Sequence, residues 1–171
     1  MCGITGIINL NRQGVDESVI SSMSDAIAHR GPDGKGVFID GNIALGHRRL
    51  SILDLSDNGA QPMHSKNKSW TIVFNGCIYN FKELRQELIN KGSRFISSTD
   101  TEVIVEGLEI YGIKFLERLN GMFAIVAYNH SNRKIYLSRD RFGIKPLYYW
   151  YNKKTFLFAS EIKAFLKHPD F

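Results

Sequence analysis

Short apolar strand patterns dominate this sequence, and they occur in consecutive groups instead of alternating strictly with helix patterns. The first is an Ile-rich run that ends at Asn-Arg-Gln-Gly, a group of residues typical of a turn. The predicted strands are 3–10, 36–40, 42–48, 70–74, 122–128, 134–138, 147–151 and 155–158. Consecutive strands favour antiparallel pairing, so the sequence predicts an α+β fold with mainly antiparallel sheets.

Helical spacing of apolar residues predicts the layers that cover these sheets. Apolar residues recur at helical intervals between 16 and 27, where Asp16 is a candidate cap and Gly31-Pro32 a stop signal. Further helices are predicted at 81–91, 101–111 and 160–167, and residues 129–132 are predicted to turn a hairpin. Strands thus outnumber helices by about two to one.

The size and charge of the chain exclude several classes of protein. With 171 residues, of which 43% are hydrophobic, the chain has the size of one domain with a sizeable core. It has no apolar stretch of about 18 residues and no secretory signal, so we expect a soluble, cytoplasmic protein without a membrane partner. The net charge of +5 comes from Lys and Arg scattered among acids, which argues against nucleic-acid binding. The sequence does not decide whether the protein forms a homo-oligomer.

Cys2, directly behind Met1, is a candidate nucleophile. Removal of Met1 would give Cys2 a free α-amino group beside its thiol, and such an amine, which ordinarily titrates at about pH 8, can take the thiol proton. The alternative is an ordinary buried cysteine. Cys2 and Cys77 are too few for a disulfide framework and lack the spacing of a zinc site, so we expect a reducing compartment and no metal.

Three polar clusters follow predicted strands, where binding groups are often carried on loops. They are His47–Asp54, Asn75–Asn80 and Ser97–Glu102. Each also has an ordinary structural interpretation: an exposed basic patch, an Asn-Gly turn, and a helix N-cap on Thr99 or Asp100. Periodicity alone does not decide between these interpretations.

Six motifs occur in order along nearly the whole chain. They are Met1-Cys2-Gly3-Ile4-x-Gly6, His29-Arg30-Gly31-Pro32-Asp33, His47-x-Arg49-Leu50-Ser51-Ile52-x-Asp54, Gly59-Ala60-Gln61-Pro62-Met63, Phe74-Asn75-Gly76-x-Ile78-Tyr79-Asn80 and Arg139-Asp140-x-x-Gly143-x-Lys145-Pro146-Leu147-Tyr148-Tyr149. In this pattern the sequence resembles the glutaminase domain of glutamine-hydrolysing asparagine synthetases. The resemblance continues through Phe158-Ala159-Ser160-Glu161-Ile162-Lys163.

This resemblance implies a class II glutamine amidotransferase domain over residues 1–171, of the N-terminal-nucleophile type. The implied fold is a four-layer αββα sandwich of two mainly antiparallel sheets. In the implied reaction, Cys2 attacks the side-chain amide of L-glutamine, its own α-amino group acts as base and then as acid, and water releases glutamate from a thioester.

The resemblance also implies the residues that contact substrate. Asn75 and the backbone N–H of Gly76 would form the oxyanion hole, which needs two preorganised donors. Arg49 would bind the α-carboxylate, a task suited to its planar fork, and Asp100 the α-ammonium. The remaining implied lining residues are Leu50, Ser51, Ile52, Leu53 and Cys77.

Other members of the motifs receive structural interpretations. His47 and Arg48 are interpreted as structural, and Tyr148–Tyr151 as core and sheet surface. Arg139, Asp140 and Lys145 are predicted to form an ion-pair network at the edge of the domain. The segment His29-Arg30-Gly31-Pro32 either ends a helix and ties down a loop or supports the substrate site.

Cys77 departs from the family pattern, in which glutamate ordinarily follows the Asn-Gly pair. If that carboxylate shares the substrate ammonium with Asp100, its loss weakens glutamine binding by about 1.5–3 kcal/mol, or one to two decades in affinity. A second hypothesis is a disulfide between Cys77 and Cys2 that silences the nucleophile.

The chain also lacks the Ser-Gly-Gly-x-Asp-Ser nucleotide loop of a synthetase half. We therefore expect no cofactor in this domain, with ATP and magnesium confined to an absent synthetase domain or subunit whose implied acceptor is aspartate. A truncated chain, a gene fragment and a stand-alone subunit are all compatible with this sequence. The rival functional hypothesis is a catalytically silent module that senses glutamine or docks on a partner, its glutamine site weakened by Cys77.

Overall fold

The computed structural model describes residues 1–52 and 54–171. The strands of a first sheet are β1 (Gly3–Asn9), β2 (Gly34–Asp40), β3 (Ile43–Arg49), β8 (Tyr148–Tyr151) and β9 (Thr155–Ala159). A second sheet contains β4 (Met63–His64), β5 (Trp70–Ile78), β6 (Gly121–Asn129) and β7 (Lys134–Arg139). The α-helices are α1 (Glu17–Asp25), α2 (Phe81–Asn90) and α3 (Asp100–Tyr111). Short 3-10 helices span Ala28–Arg30, Asp57–Gly59, Gly112–Arg118 and Ile162–Lys167.

All strand pairs of both sheets are antiparallel, which confirms the predicted class. The first sheet has the order β2-β3-β1-β9-β8, so the strand that follows Cys2 is central. The second has the order β4-β5-β6-β7, and β6 and β7 form the predicted hairpin, with Asn129 opposite Lys134. A nucleophile at the start of β1 is therefore carried on a rigid element.

Alternation of side chains along the strands separates three hydrophobic layers. The outer face of the first sheet packs on α1 and the C-terminal 3-10 helix, and that of the second sheet packs on α2 and α3. Between the sheets lies a core of Ile4, Ile43, Leu45, Val73, Ala124, Val126, Tyr128 and Phe158. This arrangement is the αββα sandwich that the resemblance implied.

Two local predictions are wrong. Strand β5 does not end at Phe74 but continues to Ile78, because β6 pairs with it as far as Gly121. Asn75 and Gly76 therefore lie inside a strand, opposite Ala124 and Phe123, and not in a turn. The helix predicted at 160–167 is a 3-10 helix, and the two-residue strand β4 was not predicted, since so short a segment has no readable period.

None of the described helices is long and apolar enough to cross a membrane.

Phe158 joins β9 to the core between the sheets, so we expect its replacement by alanine to destabilise the fold. Its side chain is fully buried, and its ring lies so close over Gly6 that a Cβ there would be 2.0 Å from Cζ. Phe158→Ala should lower the free energy of unfolding by about 3–5 kcal/mol in urea denaturation. Tyr149→Ala, at a side chain 71% exposed on β8, should change it by under about 0.5 kcal/mol. Equal losses in both variants would contradict this assignment of the core.

Candidate functional site

A cavity of about 360 Å³ opens at the end of the sandwich where β1 begins. Its lining includes the predicted residues Cys2, Arg49, Leu50, Ser51, Ile52, Asn75, Gly76, Cys77 and Asp100. The last predicted residue, Leu53, lies outside the described residues. The fold thus brings together in one cavity candidates from three separate sequence clusters and the N-terminus.

Cys2 is held at its side chain by the Leu50 backbone and at its carbonyl oxygen by the Arg30 side chain. Its Sγ accepts a hydrogen bond from the Leu50 N–H at 3.4 Å and lies 3.7 Å from the Leu50 carbonyl oxygen. Its carbonyl oxygen accepts from Arg30 Nε at 3.0 Å. Arg30 in turn pairs with Glu161 at 3.0 Å, and only 9% of the Arg30 side chain is exposed. The segment of His29 to Pro32 therefore positions Cys2 through Arg30, in addition to ending the helical region.

Asn75 presents a buried amide donor that no described residue uses. The residue is 1% exposed, and its Nδ2 has no hydrogen-bond partner within residues 1–52 and 54–171. A buried donor without a partner is costly, and it is expected where a ligand atom completes the hydrogen bond. Next to it, Gly76 lies so close to β6 that a Cβ would be 2.3 Å from the Met122 carbonyl oxygen. This geometry suits stabilisation of an oxyanion in the cavity.

Arg49 holds the loop in front of the cavity. Its guanidinium donates to the carbonyl oxygens of Ser56 at 2.8 Å and of Asp54 at 2.5 Å. No described carboxylate pairs with it, so its positive charge stays available to an anionic ligand. The carboxylate of Asp54 is occupied elsewhere: hydrogen bonds from Ser56 and Ser98 lower its pKa to about 2.

Asp100 is a buried carboxylate at the start of α3. The N-cap is the preceding Thr99, whose Oγ1 accepts from the Glu102 N–H at 3.2 Å, so Asp100 itself is the first helical residue. Its Oδ2 accepts from the Ile78 N–H at 2.9 Å. Burial raises the pKa of Asp100, although the backbone N–H groups of Ile78 and of the helix start oppose that effect. A cation bound in the cavity would stabilise its charged form.

His47 and Arg48 lie beside the cavity without lining it. His47 is 1% exposed, with Nε2 3.2 Å from the Phe74 carbonyl oxygen, and burial lowers its pKa to about 4, so it stays neutral at physiological pH. Arg48 pairs with Asp25, the last residue of α1, and donates to the Ser24 carbonyl oxygen at 3.3 Å. Both residues connect β3 to neighbouring elements.

The ion-pair network predicted for Arg139, Asp140 and Lys145 is absent from the described residues. Arg139 Nε donates to the Lys145 carbonyl oxygen at 2.6 Å, and Asp140 accepts from the backbone N–H groups of Phe123 and Lys145, both at 3.1 Å. These contacts fold a tight loop that turns Lys145 into the cavity. Sequence reasoning missed this site residue because backbone hydrogen bonds, and not charge pairing, fix the loop.

Gln61 is a second residue whose role the sequence did not show. It is 8% exposed; its Oε1 accepts from the Phe74 N–H at 2.6 Å and its Nε2 donates to Thr101 Oγ1 at 3.3 Å. The side chain thereby ties the cavity wall to both β5 and α3. The sequence feature that could have identified Gln61 is its place in the Gly59–Met63 motif.

The described residues contain no group of three His, Cys, Asp or Glu side chains that could hold a metal ion.

Cys77 should react slowly with alkylating agents. Burial raises the pKa of its thiol, the negative charge of Asp100 raises it further, and Lys145 opposes both effects. Because the thiolate is the reactive form, less of it is present at a given pH than in the unfolded chain. Labelling with iodoacetamide at pH 7.5, followed by peptide mapping, should be slower for Cys77 in the folded protein than in urea. An equal or faster folded-state rate would contradict this.

Comparison with known proteins gives one consistent family. A family model described as a glutamine amidotransferase domain matches residues 1–171. The chain is 45% identical to asparagine synthetase [glutamine-hydrolyzing] 2 of Bacillus subtilis over 172 residues, covering 99% of this chain and 23% of that protein. It is 42% identical to asparagine synthetase [glutamine-hydrolyzing] 1 of the same organism over 169 residues, covering 97% and 27%. The chain thus spans about a quarter of the length of these relatives.

A solved structure shares the fold at low sequence identity. Glutamine phosphoribosylpyrophosphate amidotransferase from B. subtilis superposes with a TM-score of 0.81 at 24% identity, over 96% of this chain and 43% of that one. At this identity the likeness supports the architecture of two sheets between helical layers.

Proposed function

This chain belongs to the glutamine amidotransferase domain family, and from that premise we propose that it hydrolyses L-glutamine to glutamate and ammonia through a thioester on Cys2. The observation that carries the proposal is that one cavity is lined by both Cys2 and Asn75, whose Nδ2 has no hydrogen-bond partner among the described residues. Acyl transfer to sulfur uses a thiol nucleophile and a donor that stabilises the oxyanion, and this cavity offers a candidate for each.

The proposed reaction starts after Met1 is removed. The free α-amino group of Cys2 takes the Sγ proton, and Sγ bonds to the amide carbon of glutamine. The carbonyl oxygen becomes an oxyanion that accepts from Asn75 Nδ2 and the Gly76 N–H. As the C–N bond breaks, the α-ammonium returns its proton and ammonia leaves. Water, deprotonated by the amine, then cleaves the C–S bond, releasing glutamate and the thiol.

Charged groups at the cavity wall would orient the substrate. Arg49, which lacks a carboxylate partner among the described residues, would bind the α-carboxylate of glutamine. Asp100 would bind the α-ammonium, since it is the buried carboxylate of the lining. Leu50, Ser51 and Ile52 would supply backbone contacts; the Ser51 N–H is fixed by Asp33 Oδ2 at 2.8 Å.

We further propose that the ammonia serves asparagine synthesis, in which a synthetase domain or subunit amidates aspartate with ATP and magnesium. The names of the relatives that match this chain support that destination. The glutaminase reaction itself needs no cofactor, because thiol, amine and water account for every proton and bond. A cytoplasmic location is consistent with two free cysteines, one of them the nucleophile.

The direct test is product analysis with the chain alone. Purified protein, shown by mass to lack Met1, is incubated with glutamine, and glutamate and ammonia are quantified in the same samples. We expect the two products in a one-to-one ratio. Release of neither product from processed, folded chain would contradict the proposal and favour the rival glutamine-sensing or docking module.

The presence of Cys77 favours the rival hypothesis of a silent glutamine-sensing or docking module, and a substitution at this position tests it. Cys77→Glu would place a second carboxylate beside Asp100, so we expect glutamine to bind about ten- to one-hundredfold more tightly. Calorimetry in a Cys2→Ala background avoids turnover, and Cys77→Gln is the matched control that adds bulk without charge. A gain in affinity together with faster hydrolysis in the Cys2-containing chain indicates a weakened enzyme. A gain in affinity without hydrolysis indicates a silent module.

A further inference from the structure

Lys145 brings an ammonium group into the cavity, and no described carboxylate pairs with it. The residue is 6% exposed and lines the cavity together with Cys2. Within residues 1–52 and 54–171 it forms no ion pair, and its Nζ contacts the Met1 thioether, with Sδ at 3.0 Å. A buried charge is costly unless it is paired, so an unpaired ammonium here points to an anion that forms in the cavity.

The loop that carries Lys145 is rigidly built. Asp140 accepts from the backbone N–H groups of Ile144 at 2.9 Å and of Lys145 at 3.1 Å, and it also binds β6 through Phe123. Burial alone would raise the pKa of Asp140, but these backbone hydrogen bonds outweigh it and the pKa is lowered. The carboxylate therefore stays charged and keeps the loop in place at neutral pH.

The other two cations near Cys2 already have partners. Arg30 donates to the Cys2 carbonyl oxygen and pairs with Glu161, and Arg49 donates to two loop carbonyl oxygens. The ionisable side chains that line the cavity with Cys2 are Arg49, Asp54, Cys77, Asp100 and Lys145, and Arg30 contacts the Cys2 carbonyl oxygen. Of the three cations in this set, Lys145 is the one whose charged group has no oxygen acceptor among the described residues.

We propose that Lys145 is a positioning residue whose ammonium is the counter-ion of the Cys2 thiolate. The inference rests on the proposed function, in which Cys2 is the nucleophile and Met1 is removed. Loss of Met1 takes away the thioether and leaves the ammonium free to act on the other groups of the cavity, which Cys2 also lines. A fixed positive charge favours a thiolate over a thiol and a free amine over an ammonium. The first proton transfer uses the free amine and produces the thiolate, so the positive charge favours both.

The test measures how Cys2 labelling depends on pH. Chain without Met1 reacts with iodoacetamide from pH 5 to 10, and peptide mapping follows Cys2 separately from Cys77. Lys145→Met removes the charge and keeps an unbranched side chain of similar length. We expect it to move the half-maximal labelling of Cys2 up by about one pH unit, or tenfold slower labelling on the acidic side. Lys145→Arg should follow the parent profile.

Two controls make the outcome decisive. Lys134→Met makes the same change in net charge at an exposed position of β7 and should leave the profile unchanged. Lys145→Gln replaces Lys145→Met if thermal melting shows that the latter is unfolded. If the folded variant without the Lys145 charge shows the same pH dependence of Cys2 labelling as the parent, Lys145 is not the counter-ion of the Cys2 thiolate. Labelling needs no glutamine turnover, so a chain that shows the shift but hydrolyses nothing contradicts only the proposed function.

Discussion

Cys2→Ala is expected to lower kcat for glutamine hydrolysis by about 10⁴-fold or more, because Cys77, the other thiol in the lining, lacks the adjacent α-amino base that removal of Met1 gives to Cys2. The hydrogen bond from Arg30 Nε to the Cys2 carbonyl oxygen remains in the variant, and only the contacts between Sγ and Leu50 are lost. The fold should therefore survive, with an unchanged melting temperature to within a few degrees. Glutamate release under saturating glutamine is the measurement.

Cys77→Ala is the matched control for this prediction, since it removes the other thiol of the same cavity. It should change the KM for glutamine and keep kcat within about tenfold of the parent. If Cys2→Ala retained turnover, or if Cys77→Ala lost as much as Cys2→Ala, the assignment of the nucleophile would be wrong.

Asn75→Ala is expected to lower kcat by about 10²–10³-fold, equivalent to about 2.7–4 kcal/mol of transition-state stabilisation. The lost donor acts on charge that develops only in the transition state, so KM should change little. Because Nδ2 has no partner among the described residues, its removal breaks no intramolecular hydrogen bond of that atom, and stability should stay within about 1 kcal/mol of the parent.

The comparison of kcat with stability separates two explanations for such a loss. A fall in kcat with an unchanged unfolding midpoint in urea supports the oxyanion hole. A fall in both would indicate that Asn75 supports the core, in which it is 1% exposed. Hydrolysis within threefold of the parent would contradict the assignment.

Much of the architecture is predictable from the sequence because local patterns decide it. Strand periodicity, helix caps and the hairpin at 129–132 reproduce the order of elements and the antiparallel class. The extent of β5 is not local: residues 75–78 stay extended because β6, more than 40 residues later, supplies their partners. An Asn-Gly pair that resembles a turn in the sequence is overridden by that pairing.

Site residues whose motifs imply a role were predictable from the sequence. Lys145, which reaches the cavity through the folding of its loop, was not. The position of Cys2 behind Met1 marks it as a candidate nucleophile, the resemblance implies the roles of Arg49, Asn75 and Asp100, and the fold gathers all four around one cavity. Lys145 was assigned to an ion-pair network because its neighbours are charged, whereas backbone donors satisfy Asp140. Which neighbour a charge finds depends on distances between residues far apart in sequence, and a linear pattern does not contain these.

The central claim, that Cys2 becomes the N-terminal nucleophile of a glutamine site, is tested most directly by intact mass and peptide mapping. The purified chain is measured before and after incubation with a glutamine analogue that carries an electrophilic carbon in place of its side-chain amide. The account predicts that Met1 is absent, that one label is found on Cys2, and that glutamine prevents the labelling. Retained Met1, an unlabelled Cys2, or labelling that glutamine does not slow would contradict it.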